Sequence, residues 1–490
     1  MTTEGGSAQE CRVKHGAILF LLISAIAWGG CASLDPWGEF GRLPPSRSQS
    51  FDAGTAEGEP IEPSPLDLAS ELTGRTLSLG ECLIIALEHN PRTAESWQAI
   101  RAAAARTGRA KADYLPTIGF TSSAARGDTA ELDGKTDFGM QNLYDAVFGV
   151  RWLLFDGGGR EARVDAATAE VLAAGFRHNA VLQDVALEVV ESYYNLLAAR
   201  SFRQLAEETV QQRDYQLRLA EARYRAGVVA RSDVLRAQTE KADADLNRVR
   251  ATNAVEVAKG RLATAMGLPV STGLQVADAP EVDYTQEFAD IEALLDEAAH
   301  NRPELKTALA QVRGQEAAVR LAESRYWPAV AVDTGLGWLG RSFPPDQRQG
   351  SVGVALDLPL FTGFNRTYQF QGSKADLARA IAQREGVLRG VELEVWTAYW
   401  QTIEAGQAIE AAERFVASAE ESARVAEGEY KNGTGSIIGL IDAQTARTAA
   451  RDRLIQARLD WRTAKARFER AVGRVHAAPG GLARQGEVKP

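Results

Sequence analysis

Two segments of the chain alternate between large apolar residues and polar or small ones. Every second position is apolar at Val330, Val332, Leu336 and Trp338, and again at Val352, Val354, Leu356, Leu358 and Leu360. A noisier copy of the pattern lies earlier, at Phe148, Val150, Trp152 and Leu154. A period of two is that of a β-strand with one apolar and one polar face. The pattern predicts two β-hairpins, and therefore four strands per chain.

Each hairpin is followed by a very long segment without proline, at 157–225 and 363–431. Roughly 70 residues at 1.5 Å per residue would make a helix of ~100 Å. Each segment ends at a glycine turn, and the chain returns in a helix of only about 35 residues, or ~52 Å. A helix of similar length is predicted before each hairpin, at 79–114 and 291–326. Two short helices stacked end to end therefore match one long helix, and 268–287 forms an irregular belt at the waist of the rod.

The two halves of the chain are copies of each other. An offset of 206 carries Val181 and Val185 onto Val387 and Val391, and it carries Gly227 onto Gly433. Polar identities off the apolar stripe also match, which helical periodicity alone would not produce. Upstream the offset becomes 212, pairing the Tyr-Leu-Pro triplet at 114–116 with Tyr-Trp-Pro at 326–328. The sequence predicts a first repeat at 76–287 and a second at 288–474.

Four strands are too few to close a membrane barrel. A sheet in lipid cannot leave a free edge, and known single-chain barrels begin at about 8 strands. Several copies would therefore have to share one barrel: a dimer supplies 8 strands and a trimer 12. The alternative is a soluble pair of hairpins packed on the helices.

The N-terminus carries an export signal. Basic residues precede the apolar run 16–27, which is too short to span a bilayer. We therefore predict a signal peptide at 1–30. Cys31 follows two glycines, resembling the acylation site of bacterial lipoproteins, and Ala32 after it resembles outer-membrane sorting. The alternative is an ordinary signal peptide with an incidental cysteine.

Composition predicts two poorly packed segments at the ends of the mature chain. Residues 31–75 are rich in Pro, Ser, Gly and Glu and are predicted to be an extended tether that buries little apolar surface. Residues 475–490 are predicted to be a disordered tail.

Composition and charge argue against nucleic-acid binding and against catalysis. The 490 residues include 55 Lys+Arg and 65 Asp+Glu, a formal net charge of −10. Three cysteines cannot form a disulfide framework or a four-ligand zinc site. The three glycines at 157–159 lack the spacing and lysine of a phosphate loop. We predict no cofactor, no metal and no enzyme activity. The histidines outside the signal form no catalytic motif and are expected at helix surfaces or caps: His89, His178, His300 and His476.

The repeated motifs resemble those of TolC-type outer-membrane efflux proteins, and the N-terminus is similar to the lipoprotein-bearing, NodT-like branch. The marks are the Tyr-Leu-Pro and Tyr-Trp-Pro strand entries, the Leu-Phe-Asp-Gly and Leu-Phe-Thr-Gly strand exits, and the turns at 224–227 and 430–433. The resemblance implies a mixed α/β membrane protein, a homotrimer. Its shared 12-stranded transmembrane β-barrel would continue as a periplasmic α-helical coiled-coil tunnel.

The resemblance also implies a function. The chain would be the outer-membrane channel of a tripartite efflux or type I secretion system. It would passively conduct substrates delivered by a periplasmic adaptor and an inner-membrane transporter of the RND, ABC or MFS class. The competing hypothesis is a lipid-anchored periplasmic coiled-coil scaffold without a pore.

Three residues match the periplasmic gate of the family. Tyr430 and Asp233 match a tyrosine-to-aspartate link between neighbouring coils, and Asp442 matches an acidic constriction residue. Gly435 stands where a gate arginine can sit, and Gly439 where a second constriction acid can sit. Alternatively, Tyr430 only packs against a helix and Asp442 only faces solvent.

The turns at the helical tips are candidates for adaptor docking, because small exposed residues let another helical hairpin approach closely. A second interpretation is that the glycines simply make the turns, and the two interpretations are compatible. The candidate docking residues are Gly227, Val228, Val229, Gly433 and Thr434.

Overall fold

A computed structural model describes residues 38–40, 43, 46–50, 74–128, 140–279, 284 and 290–474. The predicted signal peptide, Cys31, most of the predicted tether and the predicted tail lie outside the described residues.

Both halves of the chain have the same order of elements. The first half contains β1 (Thr76–Leu77), α1 (Leu79–His89), α2 (Pro91–Ala112), β2 (Thr117–Asp128), β3 (Met140–Phe155), α3 (Gly159–Arg225) and α4 (Arg231–Ala265). The second half contains β4 (Gln275–Val276), α5 (Ile291–Asn301), α6 (Pro303–Ser324), β5 (Ala329–Gly340), β6 (Gln347–Asp357), α7 (Asn365–Asn432) and α8 (Ile437–Val472). The long helices α3 and α7 contain 67 and 68 residues, so each is ~100 Å long as predicted.

The helix predicted before each hairpin is two helices, so that prediction was wrong. Pro91 begins α2 and Pro303 begins α6, and the residue before each proline is extended. Asn90 has ψ 129° and Arg302 has ψ 121°. Proline disfavours helical geometry at the residue that precedes it, and it lacks the N–H that would continue the helix.

The strands form an antiparallel four-stranded sheet within the described residues, in the order β2-β3-β5-β6. Its register places most of the predicted apolar positions on one face, because Val354 lies opposite Val332 and Val332 lies opposite Trp152. The prediction was wrong for Leu154, because the register shifts between Leu153 and Phe155 and Phe155 lies opposite Val330. Ile118 and Phe120 of β2 join the same face through Val150 and Phe148. The strand β6 ends at Asp357. Leu358 and Leu360, which were predicted to belong to this strand, therefore lie outside it. Pro359 cannot donate the next ladder hydrogen bond.

The helices form a layer in which neighbours in space follow a fixed order. The helix α4 packs on α3, α3 packs on α8, and α8 packs on α7, so α4 and α7 lie at the two edges. Alanine dominates the buried positions between the helices, which allows them to approach closely. Among the described residues, no helix is both long enough and apolar enough to cross a membrane.

Equivalent polar contacts join the two short helices at the waist of each half. In the first half the Asn90 side-chain amide donates to the carbonyl of Ala265 at 2.9 Å. In the second half Arg302, at the corresponding position, donates to the carbonyl of Ala471 at 3.1 Å. The Arg302 side chain is almost fully buried and also bonds Glu394 at 2.7 Å. These contacts satisfy carbonyls that the end of each short helix would otherwise leave unpaired.

Part of the predicted tether packs on the helices. Leu43 is buried against Ile100 and Ala174, and the buried Glu39 forms an ion pair with the half-buried Lys111. Composition did not predict this packing, because a single leucine in a polar segment gives no periodic signal.

His178 contradicts the prediction that each histidine lies at a helix surface or cap. Its side chain is fully buried, where its Nε2–H donates to the carbonyl of Gln49 at 3.1 Å and its Nδ1 accepts from the Ser96 hydroxyl at 2.8 Å. Burial lowers the pKa of His178 to about 4, although the hydrogen bond to Gln49 opposes this change. The imidazole is therefore neutral at pH 7 and anchors residues 46–50 to α3.

Candidate functional site

The tips of the two helical coils are glycine turns of the same type. The Val228 N–H donates to the Arg223 carbonyl and the Thr434 N–H to the Glu429 carbonyl, both at 3.0 Å. Gly227 and Gly433 have φ of +74° and +83°, the left-handed conformation that such a helix end requires. The glycines therefore do make the turns.

The predicted docking residues lie together at these tips. Gly227, Gly433 and Thr434 are exposed, Val228 is 62% exposed and Val229 is half-buried. An exposed valine beside two glycines gives an apolar tip whose backbone can be approached closely.

Tyr430 is the largest buried side chain at the tips. It is 1% exposed and packs in an apolar cluster with Ala220, Ala237 and Leu440. The members of this cluster come from α3, α4, α7 and α8. Tyr430 therefore joins the two coils close to their turns.

Arg223 of α3 holds the end of α7. Its guanidinium lies 4.6 Å from the centre of the Tyr430 ring, and its Nη1 donates to the Tyr430 carbonyl. An arginine over an aromatic face is attracted by the ring electrons, and the carbonyl belongs to the helix terminus that carries partial negative charge. The contact therefore links the coil α3/α4 to the coil α7/α8 by both side chain and backbone.

Asp233 and Tyr430 are brought close but are not joined by a hydrogen bond. The Tyr430 hydroxyl is buried and has no hydrogen-bond partner among the described residues. Burial raises the pKa of Tyr430, Arg223 opposes this change, and the Asp233 carboxylate adds to it. Asp233 accepts a long hydrogen bond of 3.5 Å from the Ser232 hydroxyl. Asp442 is exposed on α8.

The turn between α7 and α8 leaves little room for a side chain at Gly435. A Cβ atom at this position would lie 2.9 Å from the Cβ of Glu429 and 3.1 Å from the Tyr430 nitrogen. The turn packs too closely against the last turn of α7 to hold a side chain there. An arginine from the other half of the chain, Arg223, contacts Tyr430 instead.

Sequence reasoning did not single out Arg223. Arginine is common on helix surfaces, and the position that corresponds to Arg223 in the second repeat is Glu429. The repeat therefore gave no signal, and only the packing of α3 beside α7 identifies the residue.

Comparison with known proteins identifies the family. The model of the family described as "Outer membrane efflux protein" matches residues 83–268 and 294–474, one match for each half. Protein CyaE of Bordetella pertussis is 30% identical over 397 residues, which is 80% of this chain and 82% of that protein. Nodulation protein T of Rhizobium leguminosarum bv. trifolii is 24% identical, covering 79% and 83%.

A solved structure has the same fold. The outer membrane protein VceC of Vibrio cholerae aligns with a TM-score of 0.71 at 20% identity, over 81% of this chain and 96% of that chain.

A sheet with one apolar face, continued by two helical coils with paired tips, defines a membrane conduit with a long helical extension. The chain belongs to the outer membrane efflux protein family. It is an outer-membrane efflux channel with a TolC-like fold and a periplasmic helical portion, and it is not an enzyme. The family implies a trimer that works with an adaptor and an inner-membrane pump. These findings set aside the scaffold without a pore.

Proposed function

We propose that the channel is a passive conduit whose helical tips form a closable periplasmic mouth. An inner-membrane transporter of the RND, ABC or MFS class would supply energy, and a periplasmic adaptor would connect it to the tips. The observation that carries the proposal is the contact between Arg223 and Tyr430, because it joins the two coils at the end where a mouth would close.

The proposed closed state depends on holding α7 against α3. Arg223 contacts both the ring and the backbone of Tyr430, which is buried at the junction of four helices. Separation of the coils would expose this cluster and break the arginine contact. Opening therefore requires an adaptor that binds the separated coils better than the closed ones.

Replacing Arg223 by alanine is expected to favour the open mouth. The lost contact with a charged donor stabilises the closed state by about 2 kcal/mol, which shifts the equilibrium more than tenfold in each copy. We expect the single-channel conductance of the purified trimer in a planar bilayer to rise severalfold. Arg218→Ala is the matched control, because Arg218 lies on the same helix, is exposed and pairs only locally with Asp214. Equal conductance of the two variants would show that Arg223 does not hold the mouth closed.

Acidic residues would give the mouth a preference for cations. Asp442 is exposed on α8, so three copies would form a ring of carboxylates. A ring of one charge sign in a narrow opening concentrates ions of the opposite sign. Gly439 contributes no second carboxylate, so we propose a single ring from Asp442 at the constriction.

The adaptor would dock on the exposed tips at Gly227, Val228, Val229, Gly433 and Thr434. A groove of about 370 Å³ runs along the second coil above these residues, lined in part by Val425, Gly435 and Gly439. Small and apolar residues of this kind suit the close packing of an incoming helical hairpin.

We also propose a lipid anchor at Cys31, as in the NodT-like branch. The residues before Cys31 resemble an acylation site, and nodulation protein T is among the relatives of the chain. Cells grown with radioactive palmitate are expected to label the wild-type protein and not the Cys31→Ser variant. Cys82→Ser should keep its label, because Cys82 is buried in the helical body. An unlabelled wild-type protein would contradict the anchor.

A further inference from the structure

The two edges of the helical layer carry residues that a single chain leaves uncovered. At one edge Val249 of α4 is 50% exposed, and at the other Trp400 of α7 is 50% exposed. Trp400 and Arg414 are spaced by fourteen residues, so they share one face of α7. Arg414 is exposed and makes no ion pair with any described residue.

A seam within the chain shows how such a face is covered. The helices α3 and α8 meet along a line of ion pairs in which α3 supplies the acids and α8 the arginines. Glu208 pairs with Arg451 at 3.1 Å, Glu191 with Arg467 at 2.6 Å, and Asp184 with Arg470 at 2.7 Å. Apolar residues on the same face of α3 also pack there, since Val190 shares a buried cluster with Ala466 of α8.

The duplication of the sequence predicts a similar seam between the two edges of the helical layer, α7 and α4. The offset of 206 carries α3 onto α7 and α4 onto α8, so α7 should meet an α4 as α3 meets α8. The chain's own α4 lies at the opposite edge of the layer, and the α4 that meets α7 must belong to another copy. Under this mapping Tyr194 of α3, whose ring lies 5.2 Å from the guanidinium of Arg462 in α8, corresponds to Trp400 of α7. The uncovered Trp400 is therefore the counterpart of a residue that faces a partner helix within the chain.

The same mapping reverses the charges of the ion pair that lies nearest the helical tips. Glu208 of α3 corresponds to Arg414 of α7, and Arg451 of α8 corresponds to Asp245 of α4. Asp245 is 44% exposed, and among the described residues it pairs with Arg248 at 3.8 Å. In the pair Glu208–Arg451 the long helix carries the acid, whereas in the corresponding pair the long helix carries the base, Arg414, and the short helix carries the acid, Asp245. The charges of the second pair are therefore also complementary.

We propose that α7 of one copy packs against α4 of the next in the register of the α3–α8 seam, with Arg414 paired to Asp245 of that copy. The inference deepens the trimeric channel by naming the residues at which its copies meet. The reversed charges also make the pairing selective. If α7 met an α8 of another copy, Arg414 would face Arg451, and if α3 met an α4, Glu208 would face Asp245. Each wrong pairing places like charges together, so every α7 in the ring is directed to an α4 of the neighbouring copy.

Cross-linking tests the seam in the assembled protein. A chain carrying both Arg414→Cys and Asp245→Cys is treated in outer membranes with a short linker that reacts with one thiol at each end. The linker replaces the length that the two cysteines lack relative to the arginine and the aspartate. We expect covalent dimers and trimers. The control carries Arg414→Cys and Ser232→Cys, because Ser232 lies thirteen residues from Asp245 on α4, or ~20 Å along the helix. Trimers that cross-link no better than the control would overturn the seam.

Charge reversal gives a second readout. Arg414→Glu and Asp245→Arg each place like charges at all three seams, and each is expected to lower the fraction of detergent-stable trimer at least threefold. The double variant restores opposite charges and should recover the wild-type fraction to within about twofold. A double variant that is no better than the worse single variant would contradict the pairing. Failure of the conduit is distinguishable, because it would appear as cross-linked trimers that carry no ions across a planar bilayer.

Discussion

Replacing Val354 by arginine is expected to prevent assembly of the channel in the outer membrane. Val354 is 71% exposed in β6, on the face that also carries Val332 and Trp152. An arginine facing lipid near the bilayer centre costs about 2–4 kcal/mol, and a trimer would contain three of them. We expect detergent-resistant trimer in the outer-membrane fraction, measured by gel electrophoresis without boiling, to fall more than tenfold.

Gly353→Arg is the matched control for this result. Gly353 is the neighbouring residue at almost the same depth, and its side chain would lie on the opposite face of the sheet. A Cβ atom there meets nothing closer than the Asp333 carbonyl at 4.0 Å. That face also holds the Arg151–Asp333 ion pair, so it already accommodates charge. Equal loss of trimer in both variants would mean that the apolar face is not the lipid-facing one.

Gly267→Ala is expected to destabilise the helical body strongly. Gly267 has φ +75°, and a Cβ atom there would lie 2.5 Å from the carbonyl oxygen of His89. The left-handed conformation alone costs an alanine roughly 1–2 kcal/mol. The clash is with backbone, which no side-chain rotation relieves, so we expect a total loss of about 3 kcal/mol or more in the free energy of unfolding.

Gly227→Ala separates the two contributions to this loss. Its φ of +74° is nearly the same, but a Cβ atom there meets nothing within 4 Å. The thermal midpoint of the helical circular-dichroism signal should therefore fall slightly for Gly227→Ala and much further for Gly267→Ala. Equal shifts would show that the close approach of the waist to the end of α1 adds nothing to stability.

The sequence predicted the elements well where their signals are local. The alternation at Val352, Val354 and Leu356 identified a strand and its apolar face before the register was known. The long helices and their glycine turns were predicted to within two residues at each end. The break at Pro303 was missed because a helix of that composition seemed continuous, although the residue before a proline is biased towards extended geometry.

The candidate site was less predictable than the fold. Tyr430 was chosen from its motif, and the structure shows it buried, but Arg223 lies more than 200 positions away in the chain. His178 was expected at a surface and is buried, because its environment depends on residues 46–50 folding back across α3. Neither contact has a sequence spacing that could be recognised.

The amino-acid sequence by itself determined the duplication, the lengths of the helices, the apolar face of the sheet and the positions of the turns. Each of these follows from periodicity or from a glycine or proline, which act on the backbone within a few residues. Only the tertiary structure decided which long helix meets which short one, and therefore that Arg223 reaches Tyr430 and that Arg414 is left uncovered. Those contacts depend on how whole helices pack side by side, and an arginine on a helix surface gives no sign of what it will face.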